Sequence, residues 1–193
     1  MANSYINSSL LDKAIIFATT AHSGTERRGK GFPYIIHPLE AAAIVATISN
    51  DQELLAAAVL HDVVEDTPVT VEEVEELFGH RVASLVAVES DIVVEGKDET
   101  ESWHERKQAA MERLAAADMD AKVVAMGDKL SNMRAIHEDW LRMGDEIWNR
   151  FHVKDKAAHE WHYRGLAASL ADLSDTSAYK EFVGLIDKTF KNE

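Results

Sequence analysis

The sequence predicts an all-α, single-domain protein. Apolar residues recur at helical spacing almost throughout, with no convincing period-two alternation. The long segments are rich in Ala, Leu and Glu, which favour helices. Only three prolines occur, Pro33, Pro38 and Pro68, all early in the chain. At 193 residues the chain fits one domain, large enough to bury a core without disulfide staples. A motif-bearing core over about 10–137 is expected, with C-terminal helices over about 145–190 packed on it.

Taken in order, Ser9 and Asp12 mark a helix start, and Leu10 to His22 carries apolar residues at helical spacing. His22 to His37 holds three glycines, Pro33 and a basic cluster, and reads as a loop of functional length. Pro38 suits the first turn of the next helix, where its missing N–H does no harm; that helix runs to about Ile48. Asp51 opens a helix through His61 to about Asp66, stopped by Thr67-Pro68. Thr70 and Glu73 form a capping box for a helix reaching Phe78-Gly79, and Arg81 to about Ser90 resumes as helix. Asp91 to Thr100 reads as a loop in which Ile92-Val93-Val94 could be extended. Helices then follow near Glu101–Ala117, Ala121–Asp139, Asp145–Phe151, Asp155–Leu173 and Thr176–Phe190. No internal repeat or interdomain linker is visible.

Composition narrows the chemistry. There is no cysteine, which excludes disulfides, thiolate metal sites and a cysteine nucleophile and suits a cytoplasmic protein. No signal peptide is visible, and no apolar run approaches the roughly 20 residues of a membrane span. The net charge of −14 repels nucleic acid and anionic lipid. Neither nucleic acid nor membrane is therefore an expected partner, and a phosphate-bearing ligand needs a locally basic pocket.

The most informative segment is Leu54 to Thr67, where seven apolar residues run into His61-Asp62, followed by Val63-Val64 and then Glu65-Asp66. On a helix, His61 lies one turn from Glu65, and Asp62 one turn from Asp66. Burying four ionisable groups costs several kcal/mol unless they are paired or bind a metal, and imidazole with carboxylate suits a first-row dication. A helix end also carries acids for purely structural reasons, so this cluster alone leaves both readings open. Two further features favour function. His37 stands beside Pro38 near a fixed backbone geometry, although it also suits a plain N-terminal helix position. Lys122 to Arg134 again delivers an acid, Asp128, from an apolar helical run, with Asn132 on the same face and Arg134 two residues on.

Together these residues resemble the HD phosphohydrolase superfamily, with His…His-Asp…Asp on successive helices. Ala21-His22-Ser23-Gly24, Arg27-Arg28, Pro33-Tyr34-Ile35-Ile36-His37-Pro38, Leu60 to Thr67, Phe78-Gly79 and Asp128 to Arg134 come in the order seen in RelA/SpoT-type alarmone hydrolases. The match spans about residues 10–137 and resembles the small, hydrolase-only branch. The resemblance implies Mn²⁺ on His37, His61, Asp62 and Asp128. It also implies release of the 3′-pyrophosphate from guanosine 3′,5′-bis(diphosphate), with Glu65 and Asp66 as the catalytic acidic pair. Arg27, Arg28 and Asn132 match positions that contact the nucleotide, and Lys30, Lys129 and Arg134 are further candidates for its phosphates, Arg offering a planar fork.

The sequence departs from the family at several places. Arg28 stands where Lys is frequent, Glu89-Ser90 replaces Val-Thr, and Gly127 replaces Ala. Ser131 replaces His or Tyr, and Ala135 replaces a polar residue. None removes a metal ligand, but all lie where substrate selection could change. Two alternatives follow: an HD hydrolase acting on another phosphorylated nucleotide, or a nucleotide-binding protein without turnover. His22 is expected to orient a neighbour. His80, His104, His137, His152, His159 and His162 have no ligand-like context. Trp103, Trp140, Trp148 and Trp161 are expected in the core, with a homo-oligomer interface as the other reading.

Overall fold

Capping chemistry decides where half of the α-helices begin. In the computed structural model, which describes residues 9–89 and 100–191, α1 spans Ser9–Ala21, α2 Ile36–Val45, α3 Gln52–Leu60, α4 Val63–Asp66 and α5 Val71–Phe78. Next come α6 (His80–Glu89), α7 (Trp103–Ala116), α8 (Met119–Met143), α9 (Lys156–Ser169) and α10 (Ser177–Phe190), with 3₁₀ segments at Gly144–Arg150 and Ala171–Leu173. Asp51 accepts from the Glu53 amide at 2.9 Å, Asp118 from Ala121 at 2.9 Å and Asp155 from Ala157 at 2.9 Å. The predicted capping box closes in both directions: Glu73 N donates to the Thr70 hydroxyl at 3.2 Å, and Thr70 N to the Glu73 carboxylate at 2.9 Å. Each such cap contributes about 1 kcal/mol. The fold is all-helical, with no strand among the described residues. The expected extended run Ile92–Val94 and the Ser90 departure lie outside them.

Three helix readings need correction. The helix expected from Asp51 to Asp66 is broken, α3 ending at Leu60 and α4 restarting at Val63. The ring of His61 donates Nδ1–H to the Ala58 carbonyl at 2.8 Å, an acceptor that an unbroken helix directs at the N–H of residue 62. Residues 144–150 form a 3₁₀ segment rather than an α-helix, the usual choice for a short connector that cannot repay helix nucleation. The helix expected to reach Leu173 ends at Ser169 and resumes as a 3₁₀ turn at Ala171.

Helix α3 is buried on every side: each residue from Leu54 to Leu60 is at most 7% exposed. It packs against α1, α2, α6 and α8, and α8 in turn packs against α2 and α10. Ala56, Ala57 and Ala58 let these neighbours approach closely. At the crossing of α2 and α8 the approach is between backbones. A Cβ added at Gly127 would stand 2.6 Å from the Ala41 carbonyl oxygen and 2.8 Å from Val45 Cγ2. Backbone cannot yield as a side-chain tip can, which accounts for glycine at this position. Gly127→Ala is expected to lower unfolding stability by about 1–3 kcal/mol, read as a shift in denaturant midpoint at constant slope. The C-terminal half closes over aromatic residues: Trp148 stacks on Phe190 at 5.3 Å between centroids and is 3% exposed. Of the four tryptophans, Trp148 is a core residue, while Trp103, Trp140 and Trp161 are half-buried.

Candidate metal centre

Three separate pieces of backbone deliver the candidate ligands to one point. His37 sits in the first turn of α2, His61 and Asp62 occupy the break between α3 and α4, and Asp128 lies midway along α8. His37 Nε2 and His61 Nε2 are 3.2 Å apart. Asp128 Oδ1 lies 3.1 Å from His37 Nε2 and 3.5 Å from His61 Nε2. Asp62 Oδ2 lies 2.8 Å from His61 Nε2 and 3.4 Å from His37 Nε2. His37, His61 and Asp128 are buried and form a cluster that could hold a metal ion; Asp62 closes it on the fourth side.

The partners of the ring nitrogens fix which atoms face inward. His61 Nδ1 faces a carbonyl, which only accepts, so Nδ1 carries the proton. His37 Nδ1 is 2.8 Å from the Ser131 hydroxyl, and that hydroxyl already donates to Glu40 Oε2 at 2.7 Å. Ser131 therefore accepts from His37 Nδ1–H. With the rings neutral, both Nε2 lone pairs then face two carboxylate oxygens, and the four acceptors need a proton or a cation between them. Such a set requires a positive charge at its centre. Burial opposes charging His61, but Asp62 and Asp128 outweigh it and hold its pKa well above the ordinary histidine value. Burial likewise works against charge on the two acids, yet His61 and His37 hold Asp62 down, and Lys129 and both histidines hold Asp128 down. Two imidazoles and two ionised carboxylates in one buried cup fit a divalent cation of borderline or hard character.

Neighbouring groups hold the acids in place. Tyr34 donates to Asp62 Oδ2 at 2.6 Å. Burial, and then Asp62, push the phenol pKa above its normal range, so the proton stays on Tyr34. Asn132 Nδ2 donates to Asp128 Oδ1, and Lys129 Nζ to Asp128 Oδ2 at 2.5 Å. Arg27 lies over the Tyr34 ring at 5.4 Å and donates to Asn132 Oδ1. The glycine-rich loop can deliver Arg27 because Gly24, Gly29 and Gly31 take positive φ, letting Arg27 N reach the Phe32 carbonyl and Tyr34 N the Thr25 carbonyl. His22 is buried and tilted against Tyr34 at 4.8 Å between centroids.

The cluster opens into a cavity of about 330 Å³. Arg27, His37, Asp62, Glu65, Asp66, Asp128, Lys129 and Asn132 all line it. Its far wall holds residues the sequence reading did not select: Lys107 and Arg113 from α7, with Trp103, His162 and Tyr163. The signal was available, since positions 103, 107, 110 and 114 form one helical stripe, and a lysine inside an apolar stripe is anomalous.

Three predicted residues lie elsewhere. Lys30 pairs with Asp139 at 2.8 Å and donates to the Ala135 carbonyl at 3.0 Å. Arg134 is held by Glu40 and Glu181. Arg28 lines an adjoining hollow that shares Arg27, Tyr34, Asp66 and Asn132 with the cavity. Of the departures from the family, Ser131 stands behind His37 rather than in the cavity, and Ala135 borders the neighbouring hollows.

An all-helical domain with a buried His–His–Asp cup defines the class as that of helical proteins with a candidate metal centre. Residues 14–151 match the HD domain family, and the chain belongs to that family, homologous to the hydrolase domains of RelA/SpoT proteins. It is 37% identical over 127 residues to the bifunctional (p)ppGpp synthase/hydrolase SpoT of Escherichia coli K12, covering 65% of this chain and 18% of that protein. It is 35% identical over 127 residues to a probable guanosine-3′,5′-bis(diphosphate) 3′-pyrophosphohydrolase of a Synechocystis species, covering 66% of this chain and 17% of the relative. The chain thus spans under one fifth of these relatives' length. The fold matches a solved metazoan ortholog of SpoT, one that hydrolyses ppGpp, with a TM-score of 0.75, 24% identity, and coverage of 96% of this chain and 97% of that one. No helix among the described residues is long and apolar enough to cross a membrane.

Proposed function

We propose that this protein hydrolyses guanosine 3′,5′-bis(diphosphate), and its 5′-triphosphate analogue, at the 3′ position. The products are GDP or GTP and pyrophosphate, and Mn²⁺ is held by His37, His61, Asp62 and Asp128. One observation carries the reading: the convergent acceptors lie in the wall of a cavity whose lining also supplies Arg27, Lys107, Arg113 and Lys129. On a chain of net charge −14, these four cations balance Asp62, Glu65, Asp66 and Asp128 in the same lining, and a bound dication would make the cavity the locally positive site that a polyphosphate needs. The names of the relatives supply the substrate class.

When bound, the cation polarises a phosphoryl oxygen and makes water a better nucleophile. Glu65 and Asp66, exposed at the cavity edge one turn beyond Asp62, orient the attacking water and take its proton. The water oxygen bonds to the phosphorus carried by O3′, the phosphorus–O3′ bond breaks, and O3′ receives a proton. Arg27, Lys107, Arg113 and Lys129 offset charge on the departing pyrophosphate, while Trp103 and Tyr163 offer flat apolar surface to the nucleoside. Arg28, in the adjoining hollow, can meet the end of the ligand that extends past Asp66.

The test is product identification. Metal-replete protein incubated with the tetraphosphate should yield GDP and pyrophosphate in equal amounts, separated by anion exchange. Intact substrate overturns the reading. A panel of other phosphorylated nucleotides tests the alternative substrate, and tight binding without product, even with fresh Mn²⁺, would mark a binding protein.

A further inference from the structure

Behind His37, on the side away from the cavity, a hydrogen-bonded chain runs to the surface. His37 Nδ1–H meets the Ser131 hydroxyl at 2.8 Å, and Ser131 donates to Glu40 Oε2 at 2.7 Å. The other oxygen of Glu40 accepts from Arg134 Nη1 at 3.0 Å. Arg134 in turn grips both oxygens of Glu181 on α10, at 2.7 and 2.8 Å. Ser131 is 1% exposed, so its hydroxyl has no solvent to fall back on. We propose that Ser131 and Glu40 are positioning residues for the metal centre, forming a carboxylate–hydroxyl–imidazole relay that sets the tautomer, ring plane and donor strength of His37.

The proposal rests on the reading that His37 and His61 hold a metal. A ligand imidazole gains affinity when its other nitrogen donates to a carboxylate or a carbonyl. His61 uses the Ala58 carbonyl directly. His37 has no carboxylate in direct reach on that side, and the serine hydroxyl bridges the gap to Glu40. Serine is short enough to leave room for the carboxylate, which a larger His or Tyr at this position would fill. The Arg134–Glu181 pair then anchors Glu40, tying the metal centre to the C-terminal helix.

The experiment titrates Mn²⁺ alone into metal-free protein and reads the free ion by electron paramagnetic resonance, with thermal melting of each metal-free variant alongside. Ser131→Ala and Glu40→Gln should each weaken Mn²⁺ binding by about 10- to 100-fold. The double variant should be no weaker than Ser131→Ala, because Glu40 acts through the hydroxyl; such non-additivity is not expected of two independent structural effects. Wild-type affinity in both single variants, or fully additive losses, overturns the relay. His61→Ala separates the two readings. If it loses Mn²⁺ while Ser131→Ala and Glu40→Gln bind normally, the metal centre stands and the relay fails. If His61→Ala binds Mn²⁺ like the wild type, the centre itself is wrong and the relay falls with it.

Discussion

Asp62→Ala is expected to abolish tight metal binding. The purified variant should carry no stoichiometric metal by elemental analysis, where the wild type should carry one ion per chain. Asp62 Oδ2 lies 2.8 Å from His61 Nε2 and 3.4 Å from His37 Nε2, so its loss opens one side of the cup and removes one of the two charges that neutralise a dication. The effect should exceed the roughly 10- to 100-fold typical of outer partners. Folding should also suffer, because Tyr34 loses its acceptor, at a cost of about 1–3 kcal/mol for a polar group left without a partner. If Asp62→Ala retains one tightly held ion per chain, the ligand assignment is wrong.

Glu65→Gln is expected to leave metal content intact and lower turnover by about 100- to 10,000-fold, the usual contribution of a positioned acid or base. The side chain lines the cavity and is exposed, while the candidate ligand atoms converge below it. Glutamine keeps the shape and removes the ability to take a proton. Initial rates with saturating Mn²⁺, measured beside metal content, decide the matter; an unchanged rate at full occupancy would leave Glu65 without a part in the proton transfer. Together the two variants separate holding the cation from moving the proton, roles that four neighbouring residues in one short segment could otherwise blur.

Much of the centre was legible because its chemistry is expensive to bury. His61, Asp62 and Asp128 each end or interrupt an apolar run, and buried ionisable groups demand partners. Less legible was the way His61 breaks its own helix. Periodicity carries across the break, and only the capture of the Ala58 carbonyl by the ring reveals it. The cations were the least legible. Lys30 and Arg134 looked equivalent to Arg27 and Lys129, yet Asp139 claims the first, and Glu40 with Glu181 claims the second. Those acids are 109, 94 and 47 residues away from their partners in the chain, and Coulomb attraction between distant segments leaves no local trace. Conversely, Lys107 and Arg113, within the helix expected near Glu101–Ala117, line the cavity only because α7 packs as one of its walls.

Helical class, the capping box at Thr70 and the order of the acidic and imidazole motifs were written in local residue pattern, because caps, periodicity and desolvation act within a few residues or on each group by itself. Tertiary structure alone decided which cations line the cavity, why a Cβ at residue 127 is costly, and that Ser131 stands behind His37 rather than in the cavity. Those outcomes depend on how closely α2 and α8 approach and on which charges from distant segments meet, and such distances exist only once the helices have packed.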